Sequence, residues 1–252
     1  MGARATGLAY ACSSTADEWS LLNNVGGLAQ IKKLSTAFAY EISAALPGAN
    51  RIAAVINAPV KNIGTAGVGF FRFGDDLYHE HVISSGFSNQ IGITSLGIRV
   101  NYIQYRAQGF GTKSAWSIHF GGITQLTSKL IVGAYITNLN QPRISQQDHE
   151  RVPASLTAGI GFRPTDKVVL LAEVRKQLEQ DATLKGALEY TLHKKVFFRT
   201  GFSLQPYAGF FGLGFLVKQL KIDQGLQYNH VIGLIHQASA IYLINKRKKS
   251  ER

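Results

Sequence analysis

"SLGIRVNYIQY", residues 95–105, sets an arginine and an asparagine inside a run of large apolar residues. Leu96, Ile98, Val100 and Tyr102 take the even positions, while Ser95, Gly97, Arg99 and Asn101 take the odd ones. Such alternation describes a strand whose two faces meet two different solvents. The fold turns on which face meets which.

The same pattern recurs along the chain. "LSTAFAYEISAAL" (34–46) sets Leu34, Phe38, Tyr40 and Ile42 against Ser35, Ala39, Glu41 and Ser43. "TLKGALEYTL" (183–192) sets Leu184, Leu188 and Tyr190 against Lys185 and Glu189. "KVFFRTGFSL" (195–204) sets Val196, Phe198 and Phe202 against Arg199 and Gly201. In "KVVLLAEVRK" (167–176) the small-residue side carries Glu173 and Arg175, and Leu171 breaks the rule. Turn signals such as "PGAN", "FGDD", "RPTDK" and "LHKK" separate the runs. The count is about fourteen strands of roughly ten residues, the span a tilted strand needs to cross a bilayer.

Composition decides the solvent. Hydrophobic residues make up 45% of the 252 and charged residues 17%, and no apolar run reaches the length of a membrane-spanning helix. On a soluble sandwich the polar face would be rich in lysine and glutamate. Here it is mostly Gly, Ser, Ala and Thr with isolated charges of both signs, which suits the inside of a closed sheet. The apolar face then covers the outside, where only lipid can solvate it. The expected fold is all-β: a transmembrane antiparallel barrel over 34–245, a plug segment over 1–33 and a basic tail over 246–252. Glu41, Arg72, Arg99, Arg163, Glu173, Arg175, Lys185, Glu189 and Arg199 are expected to form a polar network in the lumen, with Lys221 and Asp223 beside them. Cross-strand pairing among them would fill and close the barrel.

Residues 1–33 do not alternate. "TADE" reads as a capping box with Thr15 as N-cap and Glu18 three positions inside, opening a short helix through Trp19 and Leu22 that "NNVGG" would end. These residues are expected to pack into or across the periplasmic end of the barrel. The even-numbered connections look short and the odd-numbered ones include the longest, 138–153 and 105–116. Short turns facing the periplasm would place the long loops outside. The longest loop offers Arg143, Asp148, His149, Glu150 and Arg151 as a docking candidate.

Other chemistry finds little support. Cys12 is the single cysteine, so neither an internal disulfide nor a cysteine metal site is expected. His79 and His81 flank Glu80 and share a strand face, but two imidazoles without further ligands do not make a metal site. No constellation of serine, histidine and acid marks a catalytic centre, and no cofactor is expected. The net charge of +12 is scattered except in "NKRKKSER", so nucleic acid is not an expected partner. No secretory leader is visible, and an exported chain would be mature or trimmed as numbered.

"GARATGLAYA…TADEWSLLNNVGGLA" resembles the start of FadL-like outer-membrane barrels, particularly the PorV/PorQ branch. Gly2, Ala3, Arg4 and Gly7 match the opening stretch, Asp17 and Glu18 an acidic pair, and Asn24, Gly27, Leu28 and Ala29 a following box. Val25 and Gly26 replace that box's usual Pro-Ala. The resemblance implies a fourteen-stranded barrel in the outer membrane of a Gram-negative bacterium, with Bacteroidota the expected source. It implies two functions. PorV-like members are subunits of type IX secretion, and other FadL-like members carry small hydrophobic molecules through the barrel and out of its wall. A capture transporter is expected to need long outer loops, and only 138–153 is long. The expectation is therefore a non-enzymatic subunit or scaffold of an outer-membrane complex, with lipid and other outer-membrane or secreted proteins as partners. A transporter of small hydrophobic molecules is the alternative.

Overall fold

The computed structural model describes residues 1–144, 151–178 and 180–244. After a short helix α1 (Ala3–Gly7) and a 3-10 helix (Val25–Gln30), the chain enters fourteen strands. They are β1 (Leu34–Ser43), β2 (Arg51–Val60), β3 (Gly64–Gly74), β4 (Tyr78–Ile91), β5 (Thr94–Ala107), β6 (Gly111–Gln125) and β7 (Leu130–Thr137). Then follow β8 (Ser155–Thr165), β9 (Val168–Gln177), β10 (Thr183–Leu192), β11 (Val196–Leu204), β12 (Ala208–Val217), β13 (Leu220–Asn229) and β14 (Gly233–Ile244). Each pairs antiparallel with its sequence neighbour, and β1 closes on β14 with Leu34 opposite Ile244. Closure leaves no unpaired sheet edge, the condition for strands to stand in hydrocarbon.

Alternation settles the two faces. Ile98 is 48% exposed and Phe202 54%, whereas Arg99 is 6% exposed and Arg199 1%. Large apolar side chains thus cover the outer wall and the lumen is packed. Leu171, the break in the pattern of β9, points inward and packs on Leu8 and Ala11 of the N-terminal segment. An arginine in place of Ile98 is expected to cost about 2–4 kcal/mol if it sits near mid-bilayer. Urea unfolding of the barrel in lipid vesicles would measure it, and an unchanged midpoint would remove Ile98 from the lipid face.

One expectation about the connections needs correction. The stretch 105–116 is not a long loop: β5 runs to Ala107 and β6 starts at Gly111, because Arg106 pairs with Thr112 and Ala107 with Gly111. The single long connection is the one between β7 and β8. Where β7 stops, the freed edge of β6 is satisfied by this connection. Leu139 N–H donates to the Ile118 carbonyl (2.8 Å), and the Asn140 side chain exchanges bonds with Ile118 N–H and the Trp116 carbonyl. Arg143 and Arg151 form an isolated bridge and are exposed, while Asp148, His149, Glu150 and the tail 246–252 lie outside the described residues.

The capping-box helix is also corrected. Residues 15–22 form turns. Thr15 Oγ1 donates to the Cys12 carbonyl instead of capping, and Asp17 Oδ1 accepts from Trp19 N–H. Asn24 does not end a helix but starts one, its side chain accepting from Gly26 N–H at the head of the 3-10 helix. A segment this short gains too little from its own hydrogen bonds to dictate its shape. Contacts with the barrel wall decide it.

The plugged lumen as candidate functional site

The small residues of the inner face are small because the N-terminal segment lies against them. A methyl group at Gly133 would overlap the Ser13 carbonyl, and one at Gly7 would come within 2.8 Å of Gly212 Cα. Helix α1 lies along β11–β14, and the 3-10 helix lies across β3–β6. Trp19, Leu21, Val25 and Leu28 form a buried cluster with Ala37, Ala39, Ala53, Val55 and Ile241, and Leu22 packs at its edge. Asn24 Nδ2 donates to the Ser13 carbonyl (2.6 Å) and to the Gly122 carbonyl on the wall (3.0 Å).

Ion pairs fix this segment to the barrel. Arg4 donates twice to Glu189 (2.9 Å each) and once to Asp17 (2.9 Å). Arg199 joins Glu189 to Asp223, and Lys221 stands 3.9 Å from Asp223. On the adjoining strands β9 and β10, Lys185 pairs with Glu173 (3.1 Å), whose second oxygen accepts from Ser13 N–H (2.7 Å). Glu41 takes Arg51, Gln237 (2.9 Å) and Tyr10 (3.2 Å). The cations Arg4, Arg51, Lys185, Arg199 and Lys221 therefore balance the anions Asp17, Glu41, Glu173, Glu189 and Asp223. A neutral, hydrogen-bonded set of this kind is compatible with burial where single charges are not.

Arg99 stands apart from the ion pairs. Nη1 donates to the Leu21 carbonyl (2.6 Å) and Nη2 to His119 Nδ1 (2.7 Å). Because a guanidinium only donates, His119 accepts at Nδ1 and its Nε2–H faces the Asn101 side-chain amide (2.8 Å), whose oxygen accepts, and the Ser117 hydroxyl (2.9 Å). Arg175 lies inward but exposed at the mouth near the long connection, and Arg163 is exposed at the opposite rim. Arg72 is corrected: it shares the outer face of β3 with Val68 and Phe70, opposite Ile52 and His81. Glu18 is half-buried, its carbonyl held by Asn57 Nδ2 (2.8 Å), and burial beside Asp17 raises its carboxyl above the ordinary value.

Arg4, Asp17 and Arg51 are members of this network that the sequence does not single out, while His119 hydrogen-bonds on the small-residue face where the sequence places it. Arg4 carried one available signal, an arginine in a segment bound for an enclosed lumen, where it must find an acid.

Two cavities flank the plug and share no lining residue. One, of about 310 Å³, opens toward the long connection and is walled by Leu22, Phe71, Val82 and Ile103, with Glu80, Ser84, Arg99, Asn101, His119 and Asn138 as its polar part. The other, of about 510 Å³, opens at the short-turn end and is lined by Asp17, Glu18, Lys32, Lys33 and Lys221 among others. The segment 1–33 thus separates two recesses, each with apolar walls and charged groups. It spans the middle of the barrel rather than capping one end.

A closed fourteen-stranded barrel with a plugged lumen and a lipid-facing outer wall is an outer-membrane-type barrel. Its fold is that of solved monoaromatic hydrocarbon channels. The monoaromatic hydrocarbon channel CymD superposes with a TM-score of 0.71 at 13% identity, covering 97% of this chain and 98% of that one. The P. putida toluene transporter TodX gives 0.67 at 10% identity (98% and 99% covered), and the Ralstonia pickettii toluene transporter TbuX 0.66 at 12% (97% and 98%). No protein-family model matches the sequence, and no curated protein matches it.

These likenesses overturn the expected complex-subunit role, since the structures that share the whole architecture are channels. The step that failed was loop economy. The recess is built mainly by strand residues and the plug, and among the described residues the long connection contributes Asn138 and Val152 to it, so a long apolar loop is not required.

Proposed function

We propose that this barrel, seated in a Gram-negative outer membrane, passes small and mainly hydrophobic molecules. One observation carries the reading: the recess walled by Leu22, Phe71, Val82 and Ile103, floored by the plug and opening at the end of the long connection. Its volume of about 310 Å³ lies at the small end of the range for small-molecule sites. The architecture shared with hydrocarbon channels adds support. The short turns would face the periplasm, with the recess facing outward. Within the family, the PorV/PorQ branch and a Bacteroidota source rest on the N-terminal pattern from Gly2 to Ala29.

Filling the recess tests the proposal. Val82→Trp is expected to slow uptake of a radiolabelled monoaromatic hydrocarbon by on the order of tenfold, because a site this small has no room for both groups. The barrel should remain folded by its heat-modifiable migration in gels. Uptake at the native rate from a folded Val82→Trp barrel would show that the recess is not on the route.

A further inference from the structure

The outer face of β3, β4, β5 and β6 changes character in rows toward the long-connection end. Val68, Ser85, Val100 and Ile118 occupy one outward row, and Phe70, Ile83, Tyr102 and Trp116 the next. The row above holds Arg72, His81, Gln104 and Ser114, and the one above that Gly74, His79, Arg106 and Thr112. Successive rows are about 7 Å apart along a strand. Tyr102 and Trp116 stack at 5.1 Å, an aromatic pair of the kind that marks a membrane boundary. Two arginines and two imidazoles therefore stand at headgroup height, directly above the aromatic level.

Charge on this wall is one-sided. The outward positions of the described strands carry no aspartate or glutamate, and their lysines and arginines are Arg72, Arg106 and Lys176. Within the cluster Arg72 lies opposite His81 and His79 opposite Arg106, so three neighbouring strands hold all four. The His79 and His81 rings are 4.8 Å apart. Arg72 Nε is shielded from water and meets no acceptor among the described residues. The nearby acids are Asp75 and Asp76 in the turn between β3 and β4. Asp75 Oδ1 is occupied by the N–H groups of Leu77 and Tyr78. Those two N–H groups hold its carboxyl below the usual range, without supplying a partner for Arg72 Nε.

We propose that Arg72, His79, His81 and Arg106 form a docking site for the phosphate groups of an outer-leaflet phosphoglycolipid, whose acyl chains would lie along the apolar rows below. Guanidinium groups bind phosphate oxygens through paired N–H donors, and the half-buried Arg72 and the exposed Arg106 bring two guanidiniums to this patch. The site lies on the outside of the wall and does not depend on what the lumen carries.

The test uses the purified barrel in nonionic detergent containing diphosphoryl lipid A or its fully dephosphorylated form, with bound lipid read by native mass spectrometry. Retention of the phosphorylated lipid alone is expected, with at least a tenfold loss in the Arg72→Gln/Arg106→Gln protein. Lys176→Gln, an outward cation on β9 away from the cluster, should retain lipid as the native protein does. Heat-modifiable migration would establish that each variant is folded. Equal retention of the two lipids, or native-level retention by the double variant, would overturn the proposal. So would displacement by millimolar inorganic phosphate, which would mean that the cluster takes phosphate without the lipid.

Discussion

Deleting residues 1–30 is expected to raise single-channel conductance by on the order of tenfold, since a fourteen-stranded barrel is wider than the eight-stranded ones that side chains alone can fill. The inner face lacks the bulk to close the gap: Gly133, Gly159, Gly201, Gly212 and Gly225 line the wall where the segment now lies. A gentler version leaves the chain intact. Arg4 is the strut between Asp17 of the plug and Glu189 of the wall, so Arg4→Met should loosen the plug without removing it. Cys12 reports the result. Its thiol is buried and its pKa is pushed up to about 12 by that burial, so at pH 8 almost no reactive thiolate is present. The native barrel should resist maleimide, and Arg4→Met should label readily. Unchanged conductance after the deletion would assign closure to the remaining wall charges and end the plug reading.

Strand faces were legible because alternation is local: Leu96, Ile98 and Val100 declare their side without reference to any other strand. Arg72 shows how that signal can be overruled by a wrong generalisation. The alternation Val68-Phe70-Arg72 places it outside, although its charge suggests the lumen. Strand ends differ from strand middles, since a side chain above the aromatic row meets headgroups rather than hydrocarbon. Residues 15–22 were misread for a different reason. "TADE" has the chemistry of a helix start, yet Asn57, Glu173 and Glu189 on distant strands supply the bonds that set the path of the N-terminal segment. No local rule contains those partners.

Function was harder still, because it depended on a volume. That only 138–153 is long is visible in the sequence, and the lack of other long loops suggests that a capture site is missing. The recess instead comes from the depth at which Leu22 and the rest of the plug stop short of the mouth, leaving Phe71, Val82 and Ile103, side by side on β3, β4 and β5, to line the gap. That depth follows from where Arg4, Ser13 and Asn24 are anchored. The same anchors that close the barrel thus shape the cavity above it, and loosening them should change both conductance and uptake.

Arg199 is where the stability of this arrangement should be most sensitive. Its side chain is fully buried between Glu189 and Asp223. Arg199→Met removes the shared cation and leaves both carboxylates in place. Glu189 keeps its two bonds from Arg4, but Asp223 keeps only Lys221 at 3.9 Å, beyond hydrogen-bond reach. Breaking a buried pair from one side costs about 3–5 kcal/mol, mostly for the charge left behind. The loss should appear as a lower urea midpoint in lipid vesicles. Arg199→Met/Asp223→Leu removes the stranded carboxylate as well, and it should recover a large part of the loss even though it deletes one more polar group. Such a recovery is a coupling between neighbouring sites, which independent contributions cannot produce. If the double variant is less stable than the single by the full cost of Asp223→Leu alone, then Asp223 is held by groups other than Arg199, and the network is not one connected unit.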